Sequence, residues 1–175
     1  MHMSKNTSRW FAIRVKSNRE HVTAQALRGK AYEVCLPVYR KFRPSGGHQT
    51  NVPLFSGYLF CQFDPRYRLP VLTVPGVVHI VGFGNEPQPV DAREMESILS
   101  LIRVGLDLAP HPYPPIGRKI QLREGPLRGV EGTILAHKGE NKLLVSVSLL
   151  QRAVAVDVDL AWVDAAAQQD HSFAY

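Results

Sequence analysis

Between Val52 and Phe63 the chain reads VPLFSGYLFCQF, with apolar residues at both odd and even positions. Side chains alternate across a strand, so Tyr58 and Phe60 share one face while Leu59, Cys61 and Phe63 share the other. One apolar face makes a core. The second needs either covering helices or a docked protein. Trp10–Val15 is predicted as a first strand, with Phe11, Ile13 and Val15 on one side and Ala12 and Arg14 on the other. Tyr32–Tyr39 and Val52–Phe63 read as strands flanking a Gly-rich loop, and Val77–Val81 as a strand after the Pro75-Gly76 turn.

Two helices interrupt the strands. The first is expected to start at Ser17, with Glu20 closing a capping box, Val22, Ala26 and Leu27 on its apolar side, and Gly29 as its stop. The second has Asp91 as N-cap, Glu94 three residues on, and a stripe of Met95, Ile98, Leu99 and Ile102 at i, i+3, i+4 and i+7. The order β-α-β-β-β-α predicts an α+β domain in which helices flank an antiparallel sheet. Residues 109–115, APHPYPP, hold four prolines and predict an extended linker. Beyond it the pattern is all β. Lys119–Arg123, Gly132–Ala136, Leu143–Leu150 and Ala153–Val158 are short runs between tight turns, the signature of a small barrel.

Charge divides along the same line. Residues 1–105 hold 14 Lys+Arg against 7 Asp+Glu, whereas residues 106–175 hold 7 against 8. The basic part favours proximity to nucleic acid, and Arg40-Lys41-Phe42-Arg43 before Pro44-Ser45-Gly46-Gly47 is its densest cluster, the stem of a basic hairpin. Cys35 and Cys61 sit in apolar segments without metal-ligand spacing, which predicts reduced core thiols and a cytoplasmic location. No apolar run approaches the roughly 18–20 residues of a membrane span, and the start of the chain lacks the apolar region of a signal peptide. Catalysis finds no support. The seven histidines are scattered, Gly82-Phe83-Gly84 lacks the third glycine of a phosphate loop, and Asp157 and Asp159 are an isolated pair near the end of the chain. No cofactor and no metal are expected.

Several motifs in order carry a family resemblance. They are WFAIRV, YEVCLPVYR, PLFSGYLFCQFD, VPGVVHIVGFG, GPLRGVEGTIL and the closing VSVSLLQRAVAVDVD. Over residues 9–163 the chain resembles the NusG family of transcription elongation and antitermination factors. The resemblance implies a NusG N-terminal domain at 9–105, a Pro-rich linker at 106–116, a small SH3-like KOW barrel at 117–164 and a tail at 165–175. The short connection Arg28–Glu33 and the Pro-Leu-Phe-Ser-Gly-Tyr motif resemble the specialised, operon-specific branch of the RfaH and UpxY type.

The family docks on the clamp helices of RNA polymerase, and the resemblance assigns that contact to Arg14, Tyr58, Phe60, Ile80 and Phe83, with Ala12 alongside. It adds non-template DNA or nascent RNA as a partner, with Lys16, Arg19, Arg40, Lys41, Arg43, Arg66 and Arg68 as candidate contacts. KOW barrels of the family bind Rho or a small-subunit ribosomal protein, which points to Leu149, Leu150 and Arg152. The family pattern at that tip is an aromatic followed by Gly-Arg; here it is Leu150-Gln151-Arg152. A monomer is expected, with no membrane contact. Relatives of the RfaH type fold this domain as a helical hairpin over the docking surface. Here Val145, Val147, Val154, Val156 and Val158 at period two predict strands in all states, and so an open docking surface. The competing reading is a stand-alone RNA-binding or ribosome-associated KOW protein, with Tyr58 and Phe60 stacking bases.

Overall fold

The computed structural model describes residues 7–42, 46–113, 119–137 and 140–163. Arg43, the Pro44-Ser45 half of the predicted turn, residues 114–118, Lys138-Gly139 and the expected tail at 165–175 lie outside them. By contacts the chain divides into two compact units, residues 1–90 and 91–175. It is a mixed α/β protein whose sheets are antiparallel.

In the first unit, β1 (Arg9–Val15) is followed by α1 (Glu20–Gly29), β2 (Glu33–Cys35), β3 (Val38–Phe42), β4 (Gln49–Pro53) and β5 (Tyr58–Phe63). Then come α2 (Leu69–Leu72), β6 (Val77–Ile80), β7 (Gly82–Phe83) and β8 (Glu86–Pro87). The main sheet has the order β2-β5-β1-β6, while β3-β4 and β7-β8 are separate two-stranded ribbons. Each long predicted apolar run is therefore two strands. Tyr32–Tyr39 breaks at Leu36-Pro37, where proline cannot donate to a central ladder. Val52–Phe63 breaks at Leu54–Gly57, whose Leu54 and Phe55 are buried.

Phe11, Ile13 and Val15 of β1 and Leu59, Cys61 and Phe63 of β5 form one core with Ala24 and Leu27 of α1, Val71 of α2 and Val74. The rings of Phe11 and Phe63 lie 4.6 Å apart. Helix α1 corrects the expected start and face. Arg19, not Ser17, is its N-cap and makes no side-chain cap bond, and the buried residues are Glu20, Thr23, Ala24 and Leu27. Val22 is 55% exposed. The buried stripe keeps helical spacing but is half polar, and so escapes a search for apolar periodicity. It is stable because its polar members have partners: Glu20 accepts from the Gly57 N–H at 2.9 Å, and the Thr23 hydroxyl points to the Pro75 carbonyl at 3.5 Å.

The second unit opens with α3 (Ala92–Val104), followed by β9 (Leu108–Pro112), β10 (Lys119–Gln121), β11 (Glu131–His137), β12 (Glu140–Val147) and β13 (Arg152–Asp157). Its sheet has the order β10-β11-β12-β13-β9. Asp91 caps α3 as expected, accepting from the N–H groups of Arg93 and Glu94. The buried face is Met95, Ser97, Ile98 and Leu101, rotated from the expected stripe so that Ile102 is exposed. Glu94 does not close a capping box. Its carboxylate accepts from the Ser148 N–H at 3.1 Å and from the Ser148 hydroxyl.

Part of the expected linker is strand: β9 pairs with β13 from Leu108↔Val156 to Pro112↔Arg152. Proline is admissible because β9 is an edge. Backbone N–H groups at i and i+2 point the same way, so Pro110 and Pro112 can both present their missing donor to the unpaired side. The valines at 145, 147, 154 and 156 lie in β12 and β13 and are all buried. Gly125, at φ 79°, packs against the Trp162 ring so closely that a Cβ would collide with it.

Candidate protein-docking and nucleic-acid interface

The register of β1 on β5 sets the candidate docking face. Arg14 pairs with Tyr58 and Ala12 with Phe60, so these four share the side opposite the helix-covered core. The Arg14 guanidinium lies over the Tyr58 ring, 4.9 Å from its centroid, and its Nη1 is 3.5 Å from the Gly57 carbonyl. Gly57 adopts φ 80°, and a Cβ there would collide with the Arg14 guanidinium. The glycine thus lets the arginine lie flat on the turn and stack on the tyrosine.

Phe60 is 0% exposed, as is Ala12. The Phe55 ring meets Phe60 edge-on at 5.5 Å. The expectation of an open surface therefore fails at these two positions, while Tyr58 is half-buried. Ile80 is also displaced from its expected place. It pairs with Ile13 and packs against the core on the other face. The backbone neighbours on the docking side are His79, paired with Arg14, and Val81, whose N–H donates to the Ala12 carbonyl. A bulge between Arg14 and Val15 shifts the register after these pairs, so that Val77 pairs with Val15 and packs against the same core as Ile80. Such a shift of one residue moves a side chain to the opposite face and is invisible in sequence. Phe83, in the β7-β8 ribbon, is 74% exposed.

The candidate cationic residues occupy separate elements. Lys16 and Arg19 sit in the β1–α1 turn, where the Lys16 N–H donates to the Gly76 carbonyl. Arg40 and Lys41 are exposed on β3. Arg66 is committed nearby: its Nε and Nη2 both donate to the Asp64 carboxylate, which also accepts from the Thr7 hydroxyl at 2.8 Å. The Arg66 hydrogen bond, foremost among these, holds the Asp64 carboxyl well below the usual range. Arg68 donates to the Asn85 carbonyl at 3.3 Å, tying its loop to the β7-β8 turn. Cys35 and Cys61 are free thiols in the core, each pushed up to about 12 by burial.

In the second unit, Leu149 and Leu150 lie in a single 3-10 turn and Arg152 opens β13. Gln151 between them has φ 51°. It holds the left-handed backbone that the family's glycine would adopt at lower cost.

A family model described as "Transcription termination factor nusG" matches residues 8–99, just over half of the chain. The chain belongs to the NusG family. Among its NusG relatives, the Haemophilus influenzae protein is 26% identical over 174 residues, covering 89% of this chain and 93% of the relative. The Escherichia coli K12 protein is 26% identical over 175 residues, covering 90% and 96%. The Thermus thermophilus protein is 27% identical over 177 residues, covering 88% and 96%. All three are named as transcription termination/antitermination proteins. A solved structure of Thermotoga maritima NusG superposes with a TM-score of 0.57 at 20% identity, covering 92% of this chain and 98% of that one. That likeness speaks to the NusG fold alone. Among the described residues, no helix is long and apolar enough to cross a membrane.

Proposed function

We propose that this chain is a transcription elongation and antitermination factor that docks on the clamp helices of RNA polymerase through the Arg14–Tyr58 face. The observation that carries the reading is the β1–β5 register, which sets an aromatic and a stacked cation on the sheet face opposite the helix-covered core. A half-buried tyrosine packed under an arginine offers apolar area and a polar rim together, the composition of an interface anchor. Phe83 supplies a second, protruding aromatic. The five-stranded sheet of the second unit is, on this reading, a KOW barrel that recruits a further protein through Leu149, Leu150 and Arg152. The compact connection from α1 to β2, Lys30–Tyr32, supports a place in the operon-specific branch of the family.

The test is capture of core polymerase by the full chain after nuclease treatment. Tyr58→Glu and Phe83→Glu should each weaken capture at least tenfold while leaving the circular dichroism spectrum native. Capture by both variants at wild-type strength would refute the docking assignment. Loss of wild-type capture on nuclease treatment would favour the RNA-binding reading instead.

A further inference from the structure

Glu20 is the first residue of α1, where a carboxylate can stabilise a helix from the surface. It is instead 5% exposed, and its Oε1 accepts the Gly57 N–H at 2.9 Å across 37 residues of sequence. The Gly57 carbonyl accepts from the Val15 N–H at 2.9 Å and lies 3.5 Å from Arg14 Nη1. Tyr58, the next residue, donates its N–H to the Phe55 carbonyl and closes the turn. Thr23, one helical turn beyond Glu20, meets the second turn at the end of β1. Its hydroxyl is 3.5 Å from the Pro75 carbonyl, and a Cβ on Gly76 would strike its Oγ1. Gly76 in turn accepts the Lys16 N–H at 2.9 Å. The buried polar stripe of α1 therefore seats two glycine turns, and their carbonyls hold the consecutive N–H groups of Val15 and Lys16.

We infer that Glu20 is a positioning residue for polymerase docking: its carboxylate fixes the Gly57 backbone, and through it the Arg14 guanidinium over the Tyr58 ring. The inference rests on the proposed docking reading and names a residue that acts behind the docking face. Glycine determines its own backbone angles less than any other residue, so the φ of 80° at Gly57 has to be held from outside. Glu20 supplies that hold on the N–H, and Val15 supplies it on the carbonyl. Without the carboxylate the Gly57 N–H is a buried donor with no acceptor, and the turn gains by rotating towards another one. Rotation carries the Gly57 carbonyl away from Arg14 Nη1 and changes the space above Gly57 in which the guanidinium lies. An anchor that must be reordered on binding loses affinity, so the buried carboxylate contributes to docking by organising Arg14 and Tyr58 beforehand.

The test pairs nuclear magnetic resonance of the full chain with capture of core polymerase. An aromatic ring shields protons above its face, so the Arg14 Hδ resonances of the wild type should lie upfield of their random-coil positions. Glu20→Met keeps the side-chain length and loses the acceptor. It should return those resonances towards random coil and weaken capture about tenfold. Glu20→Gln keeps an acceptor oxygen and should retain both properties. Leu27→Ala removes core packing from the same helix. It should lower the urea midpoint at least as far as Glu20→Met, yet leave the Arg14 shift and capture in place. Should Glu20→Met not fold, Glu20→Asp, whose carboxylate is set back by one methylene, takes its place with the same expected losses. The inference is overturned by an unmoved Arg14 shift in the Glu20 variant, or by an equal loss in Leu27→Ala. Capture at wild-type strength by that Glu20 variant, while Tyr58→Glu fails to capture, defeats this inference and leaves the docking assignment standing. If the wild type itself captures no polymerase, the docking assignment fails separately, and the Arg14 shift alone decides whether Glu20 positions the arginine.

Discussion

Strands β5 and β12 are both apolar on two faces, yet their units present different surfaces to solvent. In the second unit Leu143, Leu144 and Val145 are buried in succession, as are Ala153 to Val156 on β13. That unit, residues 91–175, holds 9 Lys+Arg against 11 Asp+Glu. In the first unit β5 begins at a half-buried tyrosine under an arginine, and residues 1–90 hold 12 Lys+Arg against 4 Asp+Glu. Among the described residues, the exposed aromatics Phe42, Tyr67 and Phe83 all belong to that first unit. Aliphatic side chains packed on both faces serve a core. Aromatics left in water remain available for contact, because they bring a large rigid area at small entropic cost.

The sharpest way to break this comparison is to charge the two aromatics of β5 in turn. Phe60→Glu places an unpaired carboxylate at a position with no solvent access and should cost several kcal/mol, enough to abolish cooperative unfolding. Tyr58→Glu at the rim should lower the urea midpoint only slightly. Equal losses would show that Tyr58 is as much a core residue as Phe60, and would erase the distinction between the two faces.

Alkaline pH separates the units next. Both thiols belong to the first unit, and burial raises each from 9.0 to about 12. An acid whose folded pKa lies above its unfolded value stabilises the fold fully below the unfolded value. That contribution declines as pH rises from about 9 towards about 12, because the unfolded chain then binds fewer protons than the folded one. Raising the pH from about 8 to about 10.5 should therefore cost on the order of 2 kcal/mol per thiol. Urea unfolding followed by cysteine labelling measures it, and Cys35→Ala with Cys61→Ala should remove most of the decline. A decline unaltered in the double variant would exclude the thiols as its cause.

The smallest effect concerns the tip of the second unit. Gln151→Gly relieves a left-handed backbone at φ 51° but gives the unfolded chain more freedom and removes the Gln151 amide bond to the Ser148 carbonyl. A net gain of about 0.5 kcal/mol is expected in thermal unfolding. A loss of similar size would mean that the amide bond, and not the backbone, sets this turn.

Periodicity and local grammar were enough to find β1, β6, the Asp91-capped helix and the β nature of residues 143–147 and 153–157, whereas 148–150, expected to continue the first of these strands, form a 3-10 turn. Each of these depends on neighbours within a few positions. The ordered motifs identified the family for the same reason: they are strings of local character. The correct face of α1 was not legible, because Glu20 and Thr23 occupy buried positions through partners 37 and 52 residues away. Nor was β9, whose prolines suggested a linker until an edge position made them compatible with a strand.

The site divides in the same way. That Tyr58 and Phe60 share a face follows from the two-residue period of any strand, and the sequence alone determined it. Tertiary structure decided that Phe60 is buried while Tyr58 is not, that Ile80 turns to the core, and that Arg66 is held by Asp64. Each of those outcomes depends on register, on a bulge, or on a partner brought close only when the chain has folded. Local pattern fixes which way a side chain alternates; only the assembled sheet fixes what it meets there.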